Sequence, residues 1–330
     1  MAIQWFPGHM HLTRQAMVAR VKTIDVVIEM LDARLPASSA NPLLAELTRQ
    51  RPTLKLLNKQ DLADPARTAD WLAHYNRQPG VRAIALDTTE AAAAQRLITP
   101  CFELAPHRGG MIKPMRVLIC GIPNVGKSTL INRLVGKRAA KAADEAGVTR
   151  NEQRVVLADD FYLYDTPGLL WPRIIVAQSG YNLAASGAIG RNAFDDAEVA
   201  LELLAYLQKH YAYLIAERYK LALATVQGIK DDALLEAIGR QRGCLMAGGV
   251  VNVQKASELL IQDFRSGALG RITLETPAEF AKWLAEGRRL DAERKLRKES
   301  LAAQGHIRSQ KAPVPSSRRA ATKDATTRRR

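Results

Sequence analysis

The stretch Gly121-Ile122-Pro123-Asn124-Val125-Gly126-Lys127-Ser128 sets two glycines, a lysine and a hydroxyl at the spacing that cradles a phosphate. The chemistry is electrostatic. Glycine-rich backbone and a helix start turn N–H groups towards one anion, Lys127 adds a point charge, and Ser128 offers an oxygen to Mg²⁺. Such work requires a strand before the loop and a helix after it. Arg116 to Cys120 reads as a short buried strand and Ser128 to Leu134 as a helix. Pro123, Asn124, Val125, Gly126, Lys127, Ser128 and Thr129 are therefore the expected phosphate contacts, with Lys127 also expected to act on the transferred phosphoryl group.

A second constellation stands earlier, at Asn58-Lys59-Gln60-Asp61. A carboxylate at Asp61 can accept two hydrogen bonds from the N1–H and exocyclic amine of guanine. Adenine offers neither donor there, so the acid selects guanine by leaving its own charge unpaired with the wrong base. Asn58 would meet the other edge of the base, and the Lys59 stem can lie over the ring. A third group, Asp165-Thr166-Pro167-Gly168, ends a strand: Asp165 suits the Mg²⁺ shell and the Gly168 N–H a γ-phosphate. Ser128 is a direct Mg²⁺ ligand in this reading and Thr149, in Gly147-Val148-Thr149, the second. Any one of these is an ordinary turn or cap; four together on the right elements are not, and a GTP–Mg²⁺ site is the expectation.

The elements that must position them alternate. A helix is predicted to about Val21, then strands at Asp25–Arg34, Thr53–Leu57 and Val81–Leu86, with helices started by Asn41-Pro42 and Asp64-Pro65 between them. An alanine-rich helix to about Ala105 and a Gly/Pro loop lead to the phosphate-loop strand, and Glu152–Leu157 with Phe161–Tyr164 reads as a hairpin. The pattern predicts a six-stranded, mostly parallel α/β sheet with one antiparallel member. Beyond Trp171, Asp195–Tyr211, Asp231–Arg242 and Asn252–Phe264 carry helical spacing, and Thr276-Pro277 starts a last helix. The expected division is a nucleotide domain over 1–173, a helical domain over 174–303, and a disordered basic tail over 304–330.

Composition narrows the partners. The chain of 330 residues carries a formal charge of +15, and the tail alone sets Arg308, Lys311, Arg318, Arg319, Lys323, Arg328, Arg329 and Arg330 against Asp324. That points to a polyanion, nucleic acid before membrane, with a merely soluble basic protein as the bland alternative; the tail reads as a phosphate-contacting arm or as a solvated one. Cys101, Cys120 and Cys244 are too scattered for a zinc knuckle or a disulfide framework, so a reduced, cytoplasmic setting is expected. The N-terminus lacks the charged and apolar regions of a signal peptide, and no apolar run spans a bilayer.

The order of the motifs is the unusual feature. In ordinary small GTPases the phosphate loop comes first and Asn-Lys-x-Asp last; here 120 residues precede the phosphate loop and Asn58–Asp61 lies among them. This resembles a circularly permuted GTPase. Trp5-Phe6-Pro7-Gly8-His9-Met10, Asp32-Ala33-Arg34-Leu35-Pro36, Asp165-Thr166-Pro167-Gly168, Asp263-Phe264-Arg265-Ser266-Gly267 and Gly270-Arg271-Ile272-Thr273-Leu274-Glu275 closely resemble the ribosome biogenesis GTPase A (YlqF) family. Permuted relatives acting on the small subunit carry a zinc module or an N-terminal OB barrel, and neither fits here.

The resemblance implies GTP hydrolysis during late assembly of the large (50S) ribosomal subunit, with the helical domain on rRNA, and no DNA partner; a monomer is expected. Readings from other classes are a GTP-gated RNA-binding placeholder whose hydrolysis is incidental, and a permuted GTPase acting on another RNA. The residue after Gly168, where many GTPases place a water-orienting glutamine, is Leu169. The resemblance supplies His9 for that water, against a plain role in bracing the first helix. It also gives Asn124 a share in a K⁺ site, against simple loop hydrogen bonding. The base-contacting loop after the third strand reads Ala85-Leu86-Asp87-Thr88 rather than the family's Ser- or Asn-bearing form, which brings Asp87 to the base through backbone contact.

Overall fold

Runs of Val, Ile and Leu bounded by charge and proline form six strands in the computed structural model, which describes residues 10–87, 93–110, 112–135, 153–158, 160–171 and 173–311. They are β1 (Val26–Asp32), β2 (Thr53–Asn58), β3 (Val81–Leu86), β4 (Met115–Gly121), β5 (Gln153–Ala158) and β6 (Phe161–Asp165). The sheet order is β3-β2-β1-β4-β6-β5, every pair parallel except β5 with β6. The β4 strand is fourth in the chain yet lies in the middle of the sheet. The chain enters on the side of Asn58–Asp61 and leaves on the side of Asp165, and β1, β2, β3, β4 and β6 all end at one edge. That edge is where an open parallel sheet binds its ligand.

Flanking helices are α1 (Met10–Val21), α2 (Pro42–Leu47), α3 (Pro65–Asn76), α4 (Ala93–Leu104) and α5 (Lys127–Val135). Asn41 and Asp64 cap α2 and α3 through side-chain bonds to main-chain N–H groups, with proline at the first position of each. Inside the sheet, Glu29 and Lys55 stand opposite each other in register and form a buried ion pair, and Glu29 also accepts the Asn41 N–H at 3.0 Å. A buried pair of this kind is retained by further hydrogen bonding.

The helical part comprises α6 (Ala177–Ser186), α7 (Asp196–Tyr219), α8 (Leu223–Gly228), α9 (Asp231–Gln241), α10 (Val253–Ser266) and α11 (Pro277–Lys311). Spacing predicts the end of α7 at Tyr211; the helix kinks there (φ −138°, ψ 32°) and continues to Tyr219. Helix α6 has no predicted counterpart. Seven of its ten residues are buried, from Ser179 to Ser186, so no polar face alternates with an apolar one. The last helix runs past Gln304, the predicted start of the tail, to Lys311; 312–330 lie outside the described residues. One cluster of buried side chains runs from the sheet (Ile119, Leu163) through Leu169, Leu170 and Trp171 into Leu183, Leu204 and Phe264.

The chain then returns to the sheet. Leu274 N–H donates to the Arg34 carbonyl (2.7 Å) and the Trp71 indole to the Glu275 carbonyl (3.0 Å). The Glu275 carboxylate is fully buried and accepts from the Ala37 and Ser38 N–H groups (2.5 and 2.8 Å), from Asn182 Nδ2 (3.3 Å) and from the Ser38 hydroxyl. Burial outweighs these donors and pushes the Glu275 pKa up to about 7 from 4.5. A carboxyl raised on folding contributes stability below its unfolded pKa, and that contribution is lost as pH rises through the folded value. Glu275→Gln has no such titration. The melting temperature of the wild type relative to this variant is therefore expected to fall between about pH 5 and about pH 8, and a pH-independent difference would refute the raised pKa.

Candidate nucleotide site

At the shared edge, β4 ends at Gly121 and α5 begins at Lys127, so the loop between them occupies the gap above β1 and β6. Two of its residues have left-handed backbone, Asn124 (φ 56°) and Gly126 (φ +99°). A Cβ on Gly126 would lie 2.4 Å from Asn58 Nδ2, so glycine is what lets the two motifs touch. Asn58 Nδ2 donates to the Val125 carbonyl (2.8 Å), and Lys59 Nζ to the Asn124 carbonyl (3.0 Å). The base motif is thus latched onto the phosphate loop, and among the described residues the buried Asn58 Oδ1 has no hydrogen-bond partner. Asp61 stands exposed on a 3₁₀ turn over Gln60–Leu62, and Asp87 follows β3 at the same edge, half-buried.

At the phosphate end, Ser128 and Thr129 are exposed in the first turn of α5. Lys127 is buried and forms an ion pair with Asp165. Burial raises the Asp165 pKa, and the Lys127 ammonium opposes that shift. Beyond Asp165 the main chain is tied down: Thr166 Oγ1 donates to the Ile119 carbonyl (3.0 Å), Leu169 N–H to the Gly121 carbonyl (3.0 Å), and Asn41 Nδ2 to the Leu169 carbonyl (2.7 Å). Leu169 and Leu170 point into the core with no exposed surface. Asn124 turns its side-chain amide to the Gly187 carbonyl (2.9 Å). The structure therefore brings together Asn58, Lys59, Asp61 and Asp87 with the loop from Pro123 to Thr129, Asp165 and Gly168; His9 and Thr149 lie outside the described residues.

The match to known proteins agrees with this geometry. The model of the RsgA GTPase family matches residues 7–173, and that of the 50S ribosome-binding GTPase family matches residues 116–232. Ribosome biogenesis GTPase A of Bacillus cereus is 41% identical over 300 residues, covering 88% of this chain and 99% of the relative. The chain belongs to the ribosome biogenesis GTPase A family. It is a GTP-binding, GTP-hydrolysing protein of ribosome assembly, with the permuted order of motifs that goes with that membership. Mitochondrial ribosome-associated GTPase 1 of Mus musculus is 32% identical over 294 residues, covering 82% of this chain and 90% of the relative. Among solved structures, GDP-bound TM YlqF superposes with a TM-score of 0.60 at 25% identity, over 80% of this chain and 99% of that one. GNP-bound YlqF from T. maritima gives 0.58, also at 25%.

Membership makes Gly168 testable. A Cβ there would lie 3.0 Å from the Pro123 N and Cα, main-chain atoms of the phosphate loop. Gly168→Ala is expected to push the two segments apart and weaken binding of a non-hydrolysable GTP analogue about tenfold, with GDP affected less. Fluorescence titration with both nucleotides checks this; equal losses would place Gly168 away from the γ-phosphate.

Spacing left two participants without a role. Asp32 and Arg34 mark the family in sequence, yet nothing in an Asp-Ala-Arg string says what it holds. In the structure Asp32 Oδ2 accepts from Lys59 Nζ (3.0 Å) and from Arg34 Nη2 (2.7 Å). Their signal was two opposite charges where a largely apolar strand ends, Asp32 its last residue and Arg34 two residues on.

Proposed function

We propose that this chain hydrolyses GTP with Mg²⁺ late in assembly of the large (50S) ribosomal subunit, and that docking on the precursor subunit or its rRNA switches hydrolysis on. The observation that carries the second half is Leu169, whose side chain is in the core and whose main chain is bonded on both sides. Among the described residues the site has what binding requires, while the position after Gly168 offers nothing to an attacking water. A supplement from outside the described site fits a GTPase that waits for its ribosomal partner.

The residue roles in this proposal are those of the sequence motifs, and for the described residues the geometry supports them. Asp61 and Asn58 read guanine, Lys59 covers it, and the backbone of the Asp87 loop closes the far edge. Residues from Pro123 to Thr129 hold the phosphates, and the Gly168 N–H meets the γ-phosphate. Lys127 and Asp165 neutralise each other here; a magnesium-bound triphosphate offers Lys127 a phosphate and Asp165 a cation in exchange, so neither charge is stranded. Ser128 and Thr149 complete the oxygen donors. Among the described residues no three His, Cys, Asp or Glu side chains are grouped to hold a metal ion by themselves, and Mg²⁺ is an ion that keeps waters and takes ligands from phosphate. When bound, the ion would supply positive charge against the negative charge that develops on the phosphates. For K⁺, Asn124 Oδ1 is the available atom, its amide nitrogen already being donated to Gly187.

The deciding experiment is the ribosome profile of depleted cells on sucrose gradients. Immature large subunits are expected to accumulate; a normal large-subunit peak would sink this reading. The buried Leu169 also favours a second reading, a GTP-gated rRNA-binding placeholder with incidental hydrolysis. Single-turnover assays with assembly intermediates separate the two, because only the first requires stimulated cleavage.

A further inference from the structure

The guanine-reading turn is held from behind by the helical part of the chain. Arg34 is buried at the end of β1, with its guanidinium laid bidentate on Asp32: Nε to Oδ1 at 2.9 Å and Nη2 to Oδ2 at 2.7 Å. Its remaining nitrogen, Nη1, reaches the Phe264 and Arg265 carbonyls (3.4 and 3.3 Å) in the last turn of α10, and the group sits 4.9 Å from the Phe264 ring centroid. A helix C-terminus presents carbonyls and partial negative charge, so Arg34 supplements the cap of α10 at Gly267, whose N–H also donates to the Phe264 carbonyl (3.3 Å). The same Asp32 holds Lys59. The path from base to helix is therefore Lys59, Asp32, Arg34, α10, with no water or gap required.

A second strap runs alongside it. After α10 the chain doubles back over the 3₁₀ turn that carries Asp61. Arg271 donates through Nη2 to the Gln60 carbonyl (3.0 Å) and through Nε to the Ala63 carbonyl (2.9 Å), while the Ile272 N–H donates to the Leu62 carbonyl (3.0 Å). On the phosphate side, Arg265 donates to the Ala184 and Ala185 carbonyls at the end of α6 (2.7 and 2.8 Å), next to the Gly187 carbonyl that accepts from Asn124. Both motifs that touch nucleotide are thus bonded to the ends of α6 and α10.

We infer that Arg34 is a positioning residue which, through Asp32 and Lys59, couples guanine binding to the C-terminal end of α10. Base occupancy and the set of α10 each bias the other, and by linkage a partner seated on the helical part changes guanine affinity by the factor that guanine changes its own. The inference rests on the GTPase reading and adds a route of regulation to it. Lysine cannot replace Arg34 in this role. It supplies one point charge where a planar fork holds a carboxylate on one side and two carbonyls on the other.

The test is hydrogen exchange of full-length protein, read at the amides of 261–274 with and without GDP or a non-hydrolysable GTP analogue, together with nucleotide titration. In the wild type, nucleotide is expected to slow exchange in this segment. Arg34→Lys is expected to weaken both nucleotides about tenfold and to abolish that slowing even at saturation. Phe264→Leu keeps both carbonyl acceptors and is expected to keep the response; its loss in both variants would mean general loosening of α10 and overturn the coupling. A wild type that binds nucleotide with no change at 261–274 overturns the coupling and leaves the GTPase reading standing. A wild type that binds no guanine nucleotide overturns both.

Discussion

Asp61→Asn is expected to weaken GDP and GTP binding by about a hundred- to ten-thousand-fold and to favour the xanthine nucleotides instead. The carboxylate stands to accept two bonds from guanine, N1–H and the exocyclic amine, and each bond to a charged group is worth roughly 1.5–3 kcal/mol. An asparagine there keeps one acceptor and turns a donor towards the amine, so one attraction becomes an N–H facing an N–H. Xanthine carries a carbonyl in place of that amine, and the same donor then finds an acceptor. Fold damage does not compete as an explanation. Asp61 is exposed, and its turn is held through main-chain carbonyls by Arg271 and through the Leu62 carbonyl by Ile272, none of which involves the carboxylate. Titrating wild type and variant with guanine and xanthine diphosphates decides it. A variant that binds GDP within about threefold of wild type would remove Asp61 from the base site.

What could be read in the sequence was what local chemistry dictates. Asn41-Pro42 and Asp64-Pro65 start helices because a side-chain acceptor followed by proline satisfies the first turn, and both caps form. The apolar runs gave the strands, and their alternation with helices a parallel sheet with one antiparallel pair. The latch between Asn58 and Val125 was not legible, since it joins residues far apart in the chain and depends on Gly126 having no Cβ. Helix α6 escaped because burial of Ser179, Asn182 and Ser186 erases the polar face by which a surface helix is recognised. Those residues are polar for a reason visible only in three dimensions: Asn182 donates to Glu275 and Ser179 bonds Ser38, at the seam between the sheet and the helices. Arg34 shows the same limit. Its type and position were plain, but its acceptors are main-chain carbonyls of Phe264 and Arg265, and any residue type presents a carbonyl.

His9→Ala is expected to leave nucleotide affinity unchanged and to lower subunit-stimulated turnover by about a hundred- to ten-thousand-fold, the range of a lost general base. Leu169 is already committed. Its N–H is donated to Gly121 and its carbonyl is held by Asn41, so the segment after Gly168 cannot swing another side chain over the γ-phosphate without breaking both bonds. The water must be oriented from another element. Helix α1 begins at Met10, immediately after His9, and ends where Thr23 and Ile24 turn into β1 at the amino-terminal edge of the sheet. Met17 is buried in the sheet core and Arg20 lies 4.6 Å over the Tyr164 ring on β6, which fixes the helix against the sheet. Multiple-turnover assays with and without large subunits, alongside nucleotide titration, read both expectations. Stimulation that persists in His9→Ala would assign the water to a group on the ribosome itself and leave His9 a brace for α1.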